Sequence, residues 1–371
     1  LLIAILLASA TLAADALDPN AYPGLVWHAE RLDGTEITSR DADRMINPAS
    51  VVKVATTLWA LRDLGAATRF ETRFLIDGDL SPEGVLDGDL VIEGDGDPDF
   101  HLENAFHVAI RLRERGVERV TGALVVHQPF LLGWEGGAEK RLPDAADRAN
   151  LMAVRLRSVF DPHRWPRSTQ RAWRKFAAEH DIPRKETARI VIEGGVDVGD
   201  GPVTGRPILV HRSKPAVDVL RRFNCWSNND IDRLEVRLGT PDDLATLLET
   251  SWGETGAEGI RFATTSGLGE NRMTPRQIVR LLQDLDRESR QSDLEPRSVL
   301  PVAGCDPGTL ESFFPKLNSD PYAGTVVGKT GSLHYTDRGV SAFAGIARTA
   351  SGDIAFAAIY PRAGRRLHWA R

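Results

Sequence analysis

Hydrophobic and polar positions alternate with the period of a strand at both ends of the chain, and follow the spacing of helices through much of its middle. Residues 25–38 alternate on either side of Asp33-Gly34, a dipeptide that favours a tight turn, and this predicts a hairpin. Three more strands are predicted near the other end, at 325–329, 340–348 and 353–360, with a hairpin turn at Ser351-Gly352.

A long apolar segment, 51–64, follows the first hairpin. Pro48 precedes this segment and Gly65 ends it, which is the usual punctuation of a helix. Because little polar surface is left on any side, we expect this helix to lie inside the core.

The segment 70–100 changes to short strands separated by turns. Asp77-Gly78 and Asp87-Gly88 begin near copies of the same four residues, on either side of a third turn at 81–84. We expect both Asp-Gly pairs to form turns.

The rest of the chain is mostly helical. Helices are predicted at 105–115, 169–180, 214–224, 230–238, 242–250 and 274–286, strands at 123–127 and 188–193, and a loop rich in Gly, Pro and Asp at 194–207. Together these elements predict an α+β protein, with one sheet built from both chain ends and covered by helices. We assign 17–75 and 208–371 to this main domain and 76–207 to a smaller inserted α/β subdomain.

The composition narrows the class of protein. Of the 371 residues, 42% are hydrophobic and 26% are charged, which is ordinary for a soluble globular protein large enough for two units. The formal net charge is -6, with 46 basic and 52 acidic side chains. A nucleic-acid-binding protein usually has a basic excess, so no nucleic-acid partner is expected.

The first residues have the features of a signal peptide. An apolar run at 1–7 leads into small residues as far as Ala16, without the basic region that normally precedes such a run. We predict that 1–16 is an N-terminally incomplete signal peptide, and that the mature protein acts in the periplasm or elsewhere outside the cytoplasm. No later segment is apolar for long enough to span a bilayer, so no transmembrane anchor is expected.

Neither a metal nor a cofactor is expected. No Cys/His cluster has zinc spacing, and the acidic run 95–99 is interrupted by Pro98 and has Phe106 where a calcium loop needs glutamate. Cys225 and Cys305 would meet an oxidising compartment, where they form either a disulfide or two buried free thiols.

Ser50 and Lys53 are the first candidates for chemistry. Three residues apart at the start of a helix, they project from the same face, so the amine can reach the hydroxyl. A buried lysine loses part of its proton affinity through desolvation and can then activate a serine nucleophile. The competing interpretation is an N-cap serine followed by a solvated lysine.

Two further segments carry complementary side chains. Ser227-Asn228-Asn229 lies directly before a helical segment, where a plain N-cap is the competing interpretation. Lys329-Thr330-Gly331-Ser332 lies at the end of an apolar strand, where glycine permits close approach and the cation and hydroxyl can bind a carboxylate. A surface strand that ends in a turn would have the same sequence.

In this order, the three segments match the Ser-x-x-Lys, Ser-x-Asn and Lys-Thr-Gly set of a known catalytic site. The chain resembles the D-Ala-D-Ala carboxypeptidase/endopeptidases of the class C penicillin-binding protein family over most of its length. Six segments carry the resemblance: 48–53, 94–98, 211–215, 265–268, 300–304 and 328–333.

The resemblance implies the penicillin-binding/β-lactamase-like transpeptidase fold and a role for each site residue. Ser50 attacks the penultimate D-Ala of a peptidoglycan stem peptide, and Lys53 takes its proton. Ser227 and Lys329 pass a proton to the leaving D-Ala, and Asn229 holds the substrate amide.

The resemblance also implies that the substrate-binding residues are Thr330, Gly331 and Ser332. Thr330 and Lys329 bind the terminal carboxylate of the substrate. The backbone N–H groups of Ser332 and Ser50 form the oxyanion hole. β-Lactams acylate Ser50 as covalent inhibitors.

The sequence also departs from the family. The inserted subdomain is shorter than usual, the sequence of 150–185 does not look like that of the family, and Asp230-Ile231-Asp232-Arg233 after the second segment is more charged than expected.

Two alternative functions would use the same scaffold: a β-lactamase, which needs a deacylating base, and a catalytically silent peptidoglycan-binding protein. An α/β-hydrolase is disfavoured because the chain has no Gly-x-Ser-x-Gly motif.

Overall fold

A computed structural model describes residues 24–133, 144–183 and 186–364 of the chain. The segment 1–16, predicted to be a signal peptide, lies outside the described residues. The strands are β1 (Val26–Arg31), β2 (Glu36–Arg40), β3 (Glu71–Leu80), β4 (Val85–Gly94), β5 (Arg119–Val120), β6 (Leu124–His127), β7 (Val191–Ile192), β8 (Val196–Gly199), β9 (Arg206–Arg212), β10 (Val326–Leu333), β11 (Val340–Ala347) and β12 (Ile354–Pro361).

The helices follow the same chain order. They are α1 (Val52–Asp63), α2 (Leu102–Glu114), α3 (Ala145–Phe160), α4 (Arg167–Glu179), α5 (Ala216–Trp226), α6 (Glu235–Leu238), α7 (Pro241–Trp252), α8 (Glu254–Ala257), α9 (Pro275–Gln291) and α10 (Thr309–Phe313). Short 3-10 helices occur at Ala49–Val51, Pro162–Arg164, Asn229–Leu234, Pro296–Ser298, Pro315–Asn318 and Thr336–Arg338.

The described residues divide into two compact units, the first made of 24–68 and 215–364. Its sheet has the strand order β10-β11-β12-β1-β2, and every neighbouring pair is antiparallel. The two chain ends therefore build one sheet, as predicted, and the α+β class is confirmed. Helix α9 packs against β1, β12 and α1.

Helix α1 is enclosed by the core of this unit. Every residue from Val52 to Leu61 is buried, including Lys53, and the helix is followed by Gly65 in a left-handed conformation with φ +83°. The prediction of a core helix that ends at this glycine is confirmed. A helix with no polar face cannot lie at the surface of a soluble unit, because its apolar side chains would stay in contact with water.

The third sequence motif lies inside a strand rather than at its end. Strand β10 continues to Leu333, and Lys329 and Gly331 pair with Ala344 and Ala342 of β11. The expectation that the strand stops at Lys329 was wrong because the pairing with β11 continues through this polar and glycine-containing segment.

The second unit is 69–214. It is wider than the predicted subdomain 76–207 by seven residues at each end (69 against 76, and 214 against 207), because β3 pairs with both β4 and β9 and so draws its flanking residues into one sheet. That seven-stranded sheet mixes antiparallel pairs with parallel ones that involve β5, β6, β7 and β8. Its core includes Phe74, Phe106 and Trp173.

The two Asp-Gly pairs of this unit do not form turns. They lie inside β3 and β4, where Gly78 and Gly88 are direct cross-strand partners with φ near +146° and +147°. A Cβ atom on Gly88 would lie 2.1 Å from the carbonyl oxygen of Asp77, so the two backbones approach more closely than any other residue allows. The connecting turn is at 81–84, as predicted.

Other local predictions were partly wrong. The expected loop at 194–207 contains β8 and the start of β9, and the predicted helix at 230–238 is a 3-10 helix followed by the short α6. Short strands such as β8 give too little alternation to be recognised without their partners.

Cys225 and Cys305 are free thiols; the first is buried and the second is exposed, so the expectation of burial was wrong for Cys305. Burial raises the pKa of Cys225 to about 11. Within the three described ranges, no helix combines the length and apolar character needed to cross a membrane.

Candidate active site

Ser50 lies on a strained turn that leads into α1. The residue before it, Ala49, has φ +50°, a left-handed conformation that costs a non-glycine residue free energy. Asn47 stabilises this turn, because its Oδ1 atom accepts a hydrogen bond of 3.0 Å from the Ala49 N–H. The amide of Asn47 also donates to the carbonyl oxygen of Gly269 at 2.9 Å and to Asp337 Oδ2 at 2.8 Å.

Glycine residues let two other segments approach the backbone of this turn. A Cβ atom on Gly331 would lie 2.8 Å from the carbonyl oxygen of Pro48 and 3.1 Å from the Ser50 nitrogen. From another segment, a Cβ atom on Gly267 would lie 2.1 Å from the carbonyl oxygen of Ala49. Neither position has room for a side chain, so both glycines are required for this packing.

Lys53 is fully buried and its Nζ atom has three hydrogen-bond partners. These are Ser50 Oγ at 3.1 Å, Asn229 Oδ1 at 2.9 Å and the main-chain oxygen of Ser266 at 2.6 Å. Burial lowers the pKa of Lys53 to about 7, against an opposing effect of the Asp232 carboxylate, which raises it. A substantial fraction of the amine is therefore neutral near neutral pH.

The second motif lies between two helices. Ser227 is the C-cap of α5 in a left-handed conformation, with φ 52° and ψ 39°. The N-cap of the following 3-10 helix is Asn228, whose side chain accepts from the Asp230 N–H at 2.9 Å. The N-cap residue is thus Asn228. The side chain of Ser227 contacts Lys329, and that of Asn229 contacts Lys53.

Lys329 is the second buried lysine of the site. Its Nζ atom donates to Ser227 Oγ at 2.9 Å and to the carbonyl oxygen of Thr330 at 2.8 Å. Burial, and secondly the positive charge of Lys53, hold the pKa of Lys329 well below its usual value. The two lysines therefore disfavour each other's charged form.

The hydroxyl of Thr330 belongs to a short chain of hydrogen bonds. It donates to Thr309 Oγ1 at 2.7 Å, and Thr309 donates in turn to the carbonyl oxygen of Cys225 at 3.3 Å. Helix α10, which carries Thr309, thereby fixes the rotamer of Thr330.

The predicted site residues come together within the first unit. Ser50, Lys53 and Asn229 form one hydrogen-bonded group, Ser227 and Lys329 form another, and Gly331 lies against the turn that carries Ser50. Ser332 is on the same strand and is partly buried.

Sequence reasoning missed four residues that hold this arrangement: Asn47, Asp232, Ser266 and Thr309. The segment 265–268 was recognised as a recurring one, but nothing in its residues predicts that a main-chain oxygen of Ser266 binds Lys53. Asp232 was noted only as an unexpected charge.

One group of side chains in the described residues has the spacing of a metal site, and it lies on β1 and β2. It consists of His28, Glu30 and Glu36. The guanidinium of Arg276 already lies among them, 3.1 Å from Glu36 Oε2 and 3.2 Å from His28 Nε2, so a cation is provided by the protein itself.

Comparisons with known proteins identify the family and the fold. The model of the D-Ala-D-Ala carboxypeptidase 3 (S13) family matches residues 8–134 and 178–365. Carboxypeptidase Rv3627c of Mycobacterium tuberculosis is 25% identical over 388 aligned residues, which cover 96% of this chain and 80% of that protein.

Solved structures of two proteins are similar in fold. The predatory peptidoglycan endopeptidase Bd3459 of Bdellovibrio bacteriovorus aligns with a TM-score of 0.73 and 22% identity, covering 91% of this chain and 86% of the other. Its penicillin G-acylated form aligns with a TM-score of 0.68. Penicillin-binding protein 4 of Haemophilus influenzae aligns with a TM-score of 0.65 and 21% identity, covering 94% and 93% of the two chains.

Proposed function

This chain belongs to the D-Ala-D-Ala carboxypeptidase 3 (S13) family, and we propose that it hydrolyses the D-Ala-D-Ala end of peptidoglycan stem peptides through an acyl-enzyme on Ser50. It is a serine peptidase. The observation that carries the proposal for Ser50 is the environment of Lys53, whose buried amine lies 3.1 Å from the Ser50 hydroxyl and has a lowered pKa.

The hydrogen-bond partners of Lys53 orient the amine for general-base catalysis. A neutral amine keeps two N–H donors and one lone pair. Asn229 Oδ1 and the Ser266 carbonyl oxygen can only accept, so they bind the two N–H groups. The lone pair is then directed at Ser50, whose hydroxyl can donate its proton.

The reaction begins when Ser50 Oγ attacks the carbonyl carbon of the penultimate D-Ala and its proton passes to Lys53. The backbone N–H of Ser50, with that of Ser332 on the neighbouring strand, stabilises the negative oxygen that develops. The close approach of Gly331 to the Ser50 nitrogen supports this pairing of donors. When the C–N bond breaks, the nitrogen of the leaving D-Ala takes the hydroxyl proton of Ser227, and Lys329, 2.9 Å from Ser227 Oγ, supplies the replacement. Water then attacks the ester and gives a proton to the neutral Lys329 by way of Ser227, while Lys53 returns its proton to Ser50 Oγ as the acid product leaves.

The terminal carboxylate of the substrate binds at Lys329 and Thr330. Its negative charge raises the proton affinity of Lys329, so the amine that is disfavoured as a cation in the free enzyme becomes one in the complex. Thr330 already donates its proton to Thr309. Substrate binding must therefore exchange this hydrogen bond for one to the carboxylate, and Asn229 holds the substrate amide.

Peptidoglycan lies outside the cytoplasmic membrane, and we assign the protein to the periplasm or an equivalent compartment on that ground. β-Lactams imitate the D-Ala-D-Ala end and acylate the same serine. The acylated Bdellovibrio endopeptidase, which shares the fold, supports this assignment.

Labelling with a fluorescent penicillin tests the proposal. The wild-type protein is expected to retain the label through denaturing electrophoresis, and Ser50→Ala to lose it, while Ser81→Ala in the turn between β3 and β4 keeps it. Purified protein is also expected to release D-Ala from a stem peptide. Labelling of the Ser50→Ala variant would refute the assignment of Ser50 as the nucleophile. Rapid turnover of penicillin by the wild-type protein would instead indicate a β-lactamase. Digestion of cross-linked muropeptides then separates carboxypeptidase from endopeptidase activity.

A further inference from the structure

Asp232 lies beside the catalytic group and contacts the segment that contains Ser266. It is partly buried and sits in the 3-10 helix Asn229–Leu234, three residues after Asn229. Side chains three residues apart in a 3-10 helix lie one above the other. Asn229 and Asp232 therefore leave this helix on the same side.

The carboxylate of Asp232 is bonded to two consecutive hydroxyl groups. Thr265 Oγ1 donates to its Oδ1 atom at 2.8 Å, and Ser266 Oγ donates to its Oδ2 atom at 2.8 Å. Hydrogen bonds to an ionised acceptor are the stronger ones in proteins. One carboxylate thus holds two neighbouring side chains of the same segment.

The main chain of that segment is held by two side chains of α1. The carbonyl oxygen of Thr265 accepts from Thr56 Oγ1 at 2.6 Å, and the carbonyl oxygen of Ser266 accepts from Lys53 Nζ at 2.6 Å. The peptide units of Thr265 and Ser266 are therefore fixed between Asp232 and the helix that carries the base.

We infer that Asp232 is a positioning residue for Lys53, which aims the Ser266 carbonyl at the amine and supplies a negative charge close to it. The Ser266 carbonyl oxygen and Asn229 Oδ1, from the same 3-10 helix as Asp232, accept the two N–H groups of the neutral amine. The lone pair of the amine then faces Ser50. The inference rests on the proposed function of Ser50 and Lys53, and adds to it a residue that controls both the direction and the charge of the base.

The charged groups around Lys53 determine how its proton affinity should change when Asp232 is replaced. Asp232 approaches from the 3-10 helix and raises the pKa of Lys53. Lys329 approaches from β10, and burial together with the charge of Lys53 holds the pKa of Lys329 well below its usual value. Glu235 of α6 reaches the same segment, because Thr265 Oγ1 also lies 2.9 Å from its Oε1 atom. Removing the Asp232 charge alone therefore lowers the proton affinity of Lys53.

Asp232→Asn separates this role from a structural one, since it keeps the shape and removes the charge. The rate of acylation by a fluorescent penicillin is measured from pH 5 to 9. We expect the midpoint of the acidic limb to move down by about one pH unit, with a lower plateau because the amide can no longer accept both hydroxyl groups. Ser266→Ala keeps the charge and removes one hydroxyl, so it is expected to lower the plateau without moving the midpoint.

Asp230→Asn is the matched control, because Asp230 is a buried carboxylate of the same 3-10 helix that contacts Asn228 and lies 3.8 Å from Arg233. It is expected to change the melting temperature but not the midpoint. An unchanged midpoint in Asp232→Asn would overturn the inference, as would equal shifts in the Asp230 and Asp232 variants. Absence of labelling in the wild-type protein is a separate result, which would refute the proposed function instead.

Discussion

The Nζ atom of Lys53 lies 2.6 Å from the main-chain carbonyl oxygen of Ser266, although 213 positions separate the two residues in the sequence. A carbonyl oxygen can only accept a hydrogen bond, so this contact always uses one N–H group of the amine. The protonation state of Lys53 therefore decides whether Ser50 faces a proton or a lone pair.

The acylation rate should depend on pH through Lys53. The base must be neutral, and its pKa is lowered to about 7, so the rate is expected to be half-maximal near pH 7 and to fall about tenfold for each pH unit below. Stopped-flow acylation by a chromogenic β-lactam measures this profile. A rate that stays constant down to pH 5 would show that the neutral amine is not required.

Gly331→Ala should damage the site more than the fold. The added Cβ atom would meet Pro48 and the Ser50 nitrogen, so strand β10 or the nucleophile turn must shift. A displacement of about 1 Å near the reacting atoms costs roughly 10²-fold in rate, and we expect a loss of acylation of that order. The acylation rate and the melting temperature are measured together.

Gly328→Ala is the control on the same strand. Its Cβ atom would meet the carbonyl oxygen of Ala344 on β11, away from Ser50. This variant is expected to lose stability, with a smaller loss of acylation in the molecules that remain folded. If both variants lose acylation in proportion to stability, the close approach of Gly331 has no specific role.

Asn47→Ala should release the strained turn before the nucleophile. The change leaves the Ala49 N–H without its side-chain acceptor and breaks the contact to Asp337. Loss of a buried partner costs about 1–3 kcal/mol, and we expect acylation to fall about tenfold or more because the conformation of Ala49 is no longer held.

Asp337→Asn provides the comparison for this variant. It weakens the charged contacts that Asp337 makes with Arg272 and Asn47, but leaves Asn47 Oδ1 bonded to Ala49. A smaller loss of acylation than in Asn47→Ala is expected. Equal losses of acylation in the two variants would show that the contacts of Asp337, in the turn between β10 and β11, matter more than the hydrogen bond between Asn47 and Ala49.

Lys53→Met should change how stability depends on pH. The folded pKa of Lys53 is about 7 and the ordinary value is 10.5, so between these values the unfolded chain binds a proton that the folded chain does not. The free energy of unfolding of the wild type relative to Lys53→Met is therefore expected to rise with pH, by up to about 1.4 kcal/mol per unit. Urea unfolding at pH 7 and pH 9 measures this difference. A constant difference would mean that Lys53 stays charged in the fold.

Local sequence signals predicted an element correctly where helix-ending or turn residues and the hydrophobic periodicity agreed. Pro48 and Gly65 delimit a helix whose composition requires burial, and the alternating strands at the two ends of the chain form one sheet, in which β1 pairs with β12. The order and residue types of the three sequence motifs predicted that Ser50 and Lys329 belong to one site, and their contacts with Lys53 and Ser227 are consistent with that prediction.

The rest depended on contacts that no local pattern contains. Gly78 and Gly88 resemble turn residues until the two strands are paired and the glycines face each other. The role of Ser266 lies in its main chain, which has the same chemistry at every residue. Asp232 could be recognised only after Asn229 was seen to share its side of a 3-10 helix.

The left-handed conformation of Ala49 has a practical consequence for experiments. Ser50 is held among groups contributed by residues 47, 229, 266 and 331, and an isolated or unfolded peptide has no means to maintain that turn. Covalent labelling of Ser50 would therefore count only natively folded molecules. A fluorescent penicillin would then serve as a titrant of the correctly folded fraction in any preparation, including one refolded from denaturant.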